Sequence, residues 1–364
     1  MYDDLILIGT YTMPIRFGTG QILQGKGEGI YALRLDRGAG TLTREAVFSG
    51  IDNPSYLCRG RDASRLYAVN ELKEFRGEAT GALSSFRFDP DRLALTLLSQ
   101  HPTGGTDPCY VASGAGDGVY VANFMSGSVA VFKTDEGGAA APRSQFFQYE
   151  GHSVNPARQS SPHAHSVIFD RSGRRAFVPD LGTDRLMRYE VDGETGELTE
   201  AGFFALDPGT GPRHCAFSPD GKYCYLIKEL TSEIAALAYD EETGEFQHLQ
   251  TVSTVSKDFA GHNSCADLQL SPDGKFLYGS NRGENTIACF RIDPDTGLLE
   301  PAGRFASGGE IPRSFAVDPR GEFLLAANQD TDNVAVFRID RATGALIFAS
   351  EISVPTPVCV QFWH

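Results

Sequence analysis

Nine polar residues of this chain fall at matching places in a repeated pattern, and together they could bind and attack an anionic ester. Counting from the turn glycines Gly173, Gly221, Gly274 and Gly321, the residues eight positions before are His165, Arg213, Ala266 and Arg313. Eight positions after them stand Leu181, Glu229, Arg282 and Gln329, and seven after stand Asp180, Lys228, Asn281 and Asn328. A looser copy upstream puts Asn70 and Glu71 at the same two places. Arg clamps a carboxylate or phosphate with two parallel N–H donors. Glu229 next to Arg213 would be a charged, hydrogen-bonded carboxylate able to orient water or act as a base. His165 carries the side chain whose ordinary titration lies near neutrality, which suits a general acid or base. Arginine and imidazolium donors stabilise the oxyanion of an ester or lactone under attack. Lys228, Arg313, Asn281, Asn328 and Glu71 complete the set as candidates for holding substrate. Each group alone also has a plain structural reading, Arg213–Glu229 as an ion pair between two strands. The functional reading rests on several of them reaching one place.

The elements that must bring them there are strands. The segments ALRLD, SFRFD, FKTD, RYEVD, LAYD, CFRID and VFRID end at Asp36, Asp89, Asp135, Asp192, Asp240, Asp293 and Asp340. Their mean spacing of about 51 residues is that of propeller blades. Residues such as Leu33 and Leu35, or Phe290 and Ile292, stand two apart and share one strand face. Turns such as DGETGEL and DPDTGLL follow, and SPDG turns between β-rich runs precede the later copies. Each unit reads as four strands, a to d, and no long stretch has helical period. The first unit, with LILIGTYT, lacks an a strand, while PVCVQF is left over at the other end. Pairing the two closes the ring and removes its open edge. The sequence therefore predicts an all-β, seven-bladed β-propeller as a single domain over residues 1–364. A β-solenoid, the competing architecture, has a shorter period and needs no spare strand. In a propeller the start of strand a and the end of strand b share one channel mouth, where the nine residues should meet.

Composition narrows the partners. In 364 residues, 41% are hydrophobic and 22% charged, as in a packed globular protein, and 40 Gly with 19 Pro supply many turns. The formal net charge of −15 disfavours nucleic acid and anionic membranes, so arginines gathered at one mouth would be a local reversal of sign. The partner expected is a small anionic molecule. The N-terminal MYDDLILIGTY reads as neither signal peptide nor membrane anchor. Seven cysteines without CxxC spacing suit a reducing cytoplasm, with no disulfide framework and no zinc site expected. The acidic hairpin tips lack the bidentate Glu spacing of a calcium loop. The Gly-rich segment Met13–Glu28 is a candidate lid over the mouth, or an ordinary loop.

The runs SVNPARQSSPHAHSVIFD, VPDLGTDRLMRYEVD, GPRHCAFSPDGKYCYLIKEL and LSPDGKFLYGSNRGENTIACFRID resemble the bacterial seven-bladed lactonase family. That family includes propeller-type 6-phosphogluconolactonases and fungal carboxy-cis,cis-muconate lactonising enzymes. The resemblance runs from IGTYT to the last blade and is most specific between Asn155 and Arg282. It implies cofactor- and metal-independent lactone chemistry, with His165, Arg213, Glu229 and Arg282 at the family's proposed catalytic positions. The expected reaction is hydrolysis of 6-phospho-D-glucono-1,5-lactone, with Glu229 or His165 activating water and Lys228 and Arg313 on the phosphate. The competing readings are a muconate-type enzyme, a non-catalytic binding platform and a calcium-dependent sugar lactonase.

Overall fold

The computed structural model describes residues 4–17 and 20–363. Among these residues seven four-stranded antiparallel sheets form a closed ring. Blade 1 is built from both chain ends, in the order Pro357–Phe362 (strand a), Leu5–Thr10 (b), Gly29–Asp36 (c) and Thr41–Ser49 (d). Ile8 faces Val360 and Gly9 faces Cys359 across that closure. Blades 2 to 7 repeat the a–d order over residues 54–102, 108–148, 168–205, 212–253, 264–306 and 312–353. One 3₁₀ turn, Ala115–Asp117, is the helical exception, and no helix among the described residues is long and apolar enough to cross a membrane.

Strand b is apolar on both faces because both are covered by neighbouring blades. In LILIGT, Ile6 and Ile8 pack towards blade 7, while Leu5 and Leu7 pack towards blade 2. An apolar cluster fills each gap between adjacent blades. The paired residues on strand c behave as their spacing predicts: Leu33 with Leu35, and Phe290 with Ile292, share one cluster each. The closing aspartates then shape the c–d turn. Asp192 Oδ1 accepts from the backbone N–H of Glu194 and Thr195 at 2.9 and 2.8 Å.

Blade 4 departs from the repeat. Its inner strand shortens to Ile168–Phe169, preceded by a single bridge from Ala164 to Asp180. The carboxylate of Asp180 accepts from the backbone N–H of His163 and Gly182, so a side chain replaces ladder bonds there. His165 therefore stands on an irregular segment, tied by its N–H to Pro179 O at 3.0 Å. Within the segment Met13–Glu28, whose residues 18 and 19 lie outside the described ones, Ile15–Arg16 pairs antiparallel with Ile22–Leu23, and Ile15 packs on Tyr11 and Val358.

Candidate active site

Blades 2, 3, 5 and 7 each present one mouth-facing position just after strand b, and hydrogen bonding fixes it. The backbone N–H of Glu71, Phe124, Glu229 and Gln329 donates to the carbonyl of Asn53, Asp107, Gly211 and Ile311, the residues just before strand a. Those four carbonyl-bearing residues all have positive φ, from 38° at Asn53 to 63° at Gly211. At Gly211 the glycine is also required by space, because a Cβ would come within 2.5 Å of Leu230 Cγ. Strand a contributes its second residue to the same opening. A cavity of about 220 Å³ results, lined among others by Glu71, Cys109, His165, Glu229, Arg282 and Arg313. Ile15 and Phe17 from the N-terminal segment line it as well. Glu71, Cys109, His165 and Arg313 also line a narrow extension along the axis, where Arg213 stands.

Glu229 is the electrostatic centre of this mouth. It is 3% exposed, and its carboxylate lies 2.5 Å from Arg158, 2.8 Å from Arg282 and 3.1 Å from Arg213. Burial alone would raise its pKa, but Arg282, Arg158 and Arg213 more than offset that and hold it far below the carboxylate range. The cluster thus carries three cations for one anion. Burial lowers the pKa of Arg282 to about 10, and like-charged Arg213 and Arg313 add to the effect.

Arg313 is placed differently. Its guanidinium lies 5.4 Å from the Tyr11 ring centre and 5.6 Å from that of Phe17, and 3.9 Å from Glu71 Oε1. Aromatic faces hold the cation while its N–H groups stay available to the cavity it lines. Burial, with Arg213, His214 and Arg313 nearby, holds His165 well below its ordinary pKa, so it is a neutral imidazole. Its Nδ1 stands 3.7 Å from Cys109 Sγ. Burial also pushes that thiol far up, so Cys109 is protonated.

Three predicted site residues do not reach the cavity. Lys228, Asn281 and Asn328 are the last or near-last residues of strand b, one position before the mouth-facing one, and alternation turns them to the other face. Lys228 Nζ lies 3.4 Å from Glu233 and 3.3 Å from Thr251 on the outer strands of its own blade. Asn281 donates to Thr254 O and Asn328 to Ser307 O, each at 3.0 Å, fastening the loop that enters strand a. The repeated asparagine is a staple of the fold.

Three further residues belong to the site, and sequence spacing missed them. Arg158 comes from the long loop before blade 4, outside any strand register. His214 sits beside Arg213, yet both turn towards the axis because a bulge between Pro212 and His214 breaks the alternation. Asp267 follows from a similar irregularity in blade 6, between Cys265 and Leu268. Arg213 donates to Ala266 O at 2.7 Å and lies 3.2 Å from His214 Nε2, while His214 Nδ1 lies 3.1 Å from Asp267. The GPRH and CADL runs carried these residues, but nothing in them announces a bulge. Among the described residues, no three His, Cys, Asp or Glu side chains are grouped to hold a metal ion.

A closed ring of seven four-stranded blades with a cationic mouth defines a class of β-propeller, and the comparisons with known proteins narrow it. The family described as "Lactonase, 7-bladed beta-propeller" matches residues 5–362, and the chain belongs to that family. It is 33% identical over 359 residues to a 6-phosphogluconolactonase of Bacillus subtilis, covering 98% of this chain and 97% of that one. The solved periplasmic gluconolactonase PpgL of Pseudomonas aeruginosa superposes with a TM-score of 0.88 at 34% identity, covering 99% and 98% of the two chains. A solved protein of Lactobacillus plantarum gives 0.89 at 35% identity, with 99% of both chains covered.

Proposed function

We propose that this lactonase hydrolyses 6-phospho-D-glucono-1,5-lactone to 6-phosphogluconate, the reaction that follows oxidation of the sugar in the pentose phosphate pathway. The observation that carries the reading is the arginine cluster on Glu229, an excess of positive charge beside a cavity of about 220 Å³ in a net-acidic chain. The full-length similarity to a 6-phosphogluconolactonase supports it. Arg158 and Arg282 line the outer cavity, with charge to spare for the phosphate arm. The lactone carbonyl goes to the inner end, beside Arg313 and His165. Glu229 serves as a permanent anion that lets three guanidiniums stay buried together. A carboxylate with so low a pKa accepts a proton poorly at neutral pH. No cofactor takes part in this scheme.

The free state of all seven cysteines agrees with a reducing cytoplasm as the place of action. The decisive assay is lactone consumption on freshly generated 6-phosphogluconolactone, corrected for spontaneous opening. A rate no higher than the spontaneous one would refute the proposal. The likeness to a gluconolactonase favours a second reading, in which the unphosphorylated lactone is the substrate. Running both lactones side by side separates the two, since the arginine cluster predicts a lower KM for the phosphorylated one.

A further inference from the structure

Four carboxylates line the outer cavity, and they differ in how closely a cation or solvent holds each of them. Glu229 is clamped by three guanidiniums. Asp107 accepts from Lys73 Nζ at 2.7 Å, and Asp330 is exposed and accepts from Gln329. Glu71 differs in its surroundings. It is 5% exposed, Oε2 accepts from Tyr11 Oη at 2.9 Å, and Oε1 faces a single cation, Arg313, at 3.9 Å. It also stands where the cavity meets its axial extension, with His165, Cys109 and Arg313.

We propose that Glu71 is the general base of the reaction, and that Arg313 beside it receives the oxyanion. The proposal rests on the lactonase reading above. Glu71 removes a proton from water as the water oxygen bonds to the lactone carbonyl carbon. The carbonyl electron pair moves onto oxygen, where Arg313 stabilises it. When the carbonyl re-forms, the bond from that carbon to the ring oxygen breaks, and the ring oxygen leaves with the pair. It takes the proton from the Glu71 carboxyl, which restores the carboxylate. The new carboxylic acid then ionises to solvent.

The surroundings of Glu71 suit this cycle. Burial raises its pKa, against the pull of Arg313 from blade 7, Ser55 from blade 2 and Tyr11 from blade 1, and with the push of Asp107 from blade 3. Neutral His165 and protonated Cys109 add no charge. A base shifted towards neutrality is the better proton acceptor at the working pH.

The test is Glu71→Gln, which keeps side-chain length and an oxygen for the Tyr11 hydroxyl, with Glu71→Asp beside it. Circular dichroism and a melting curve establish that each variant is folded. On fresh lactone, Glu71→Gln should lose kcat by about 10²-fold or more. Its KM should stay within about threefold, and the acid limb of the pH profile of kcat/KM should vanish. Glu71→Asp should retain that limb at a reduced rate. A folded Glu71→Gln that keeps the acid limb, or a kcat within threefold of the parent, overturns the base role while leaving the lactonase reading intact. No turnover of any lactone by the parent enzyme overturns both.

Discussion

Replacing Glu229 with Gln tests whether that carboxylate holds the mouth together. The parent carries one buried anion among three guanidiniums, at 2.5, 2.8 and 3.1 Å. Glutamine has nearly the same shape, so the change removes charge and leaves packing intact. Arg213, 3% exposed, and Arg282 would then face each other uncompensated. Breaking a buried charge pair by removing one partner costs about 3–5 kcal/mol. At roughly 2 °C per kcal/mol for a large domain, the melting temperature should fall by about 6–10 °C. The pH dependence has a definite sign. Glu229 has a depressed folded pKa, so its stabilisation is fully present above the unfolded value of about 4.3 and lost as pH falls towards the folded one. Urea titrations should therefore show a constant gap between parent and variant from pH 8 to 5, closing below about pH 4. Turnover at pH 7 should drop at least about tenfold, or about 1.4 kcal/mol of barrier. A variant that matches the parent within about 0.5 kcal/mol and retains its turnover would refute the reasoning.

Three other substitutions probe the same geometry. Arg213→Ala should cut turnover at least about tenfold, a loss of about 1.4 kcal/mol, because it removes the guanidinium between Glu229 and the axial extension; steady-state kinetics on the fresh lactone would measure it. Lys228→Ala should leave kcat/KM within about twofold, since the ammonium points to Glu233 and Thr251, and a larger loss would return this lysine to the site. Gly211→Ala should lower both the melting temperature and kcat/KM. Its φ of 63° costs an L-residue about 1–2 kcal/mol, and the added Cβ would strike Leu230 and displace the carbonyl that holds the Glu229 N–H at 2.7 Å. Ile311 has a φ of 57° at the equivalent place in blade 7, so the strike on Leu230, rather than φ alone, should dominate.

The fold was legible in the sequence because its period is carried by local signals that each blade repeats. The aspartate closing strand c makes its own turn, the SPDG turn needs its glycine, and the spare PVCVQF run had one free edge to fill. The strand registers that follow from those signals also bring Arg213, Glu229, Arg282, Arg313 and Glu71 to one mouth, and His165 joins them from the irregular start of blade 4. What periodicity could not supply was the parity of neighbouring residues at a strand end. Lys228 and Glu229 read as equally good candidates, yet a single step along the strand sends one outwards and the other to the cavity. Bulges hid the reverse case, turning His214 inwards beside Arg213. Arg158 lies in a loop with no register at all, and its contact with Glu229 is purely tertiary.

The ring supplies equivalent positions, and the side chains that fill them make it unequal. The position after strand b is Glu71 in blade 2, Phe124 in blade 3, Leu181 in blade 4, Glu229 in blade 5 and Gln329 in blade 7, and in blade 6 the equivalent residue is Arg282, the last of its strand. The second residue of strand a is Ser55, Cys109, Arg213 and Arg313 in blades 2, 3, 5 and 7, and His165 takes that place in blade 4. Arg213 of blade 5 and Arg282 of blade 6, with Arg158 from the loop before blade 4, thus put the surplus of cations around Glu229, while Glu71 with Tyr11 lies across the seam between blades 1 and 2. A symmetric mouth would accept an anionic lactone in any rotation about the axis. Under the proposed assignment, this one would draw the charged arm to one sector and leave the electrophilic carbon beside Glu71, the carboxylate that no guanidinium saturates. Orientation would then follow from where the charges stand. It predicts that moving positive charge to blade 3, as in Phe124→Arg, should raise KM and lower kcat together, by weakening the preference for a single orientation. An unchanged kcat would mean that something other than charge asymmetry aligns the substrate.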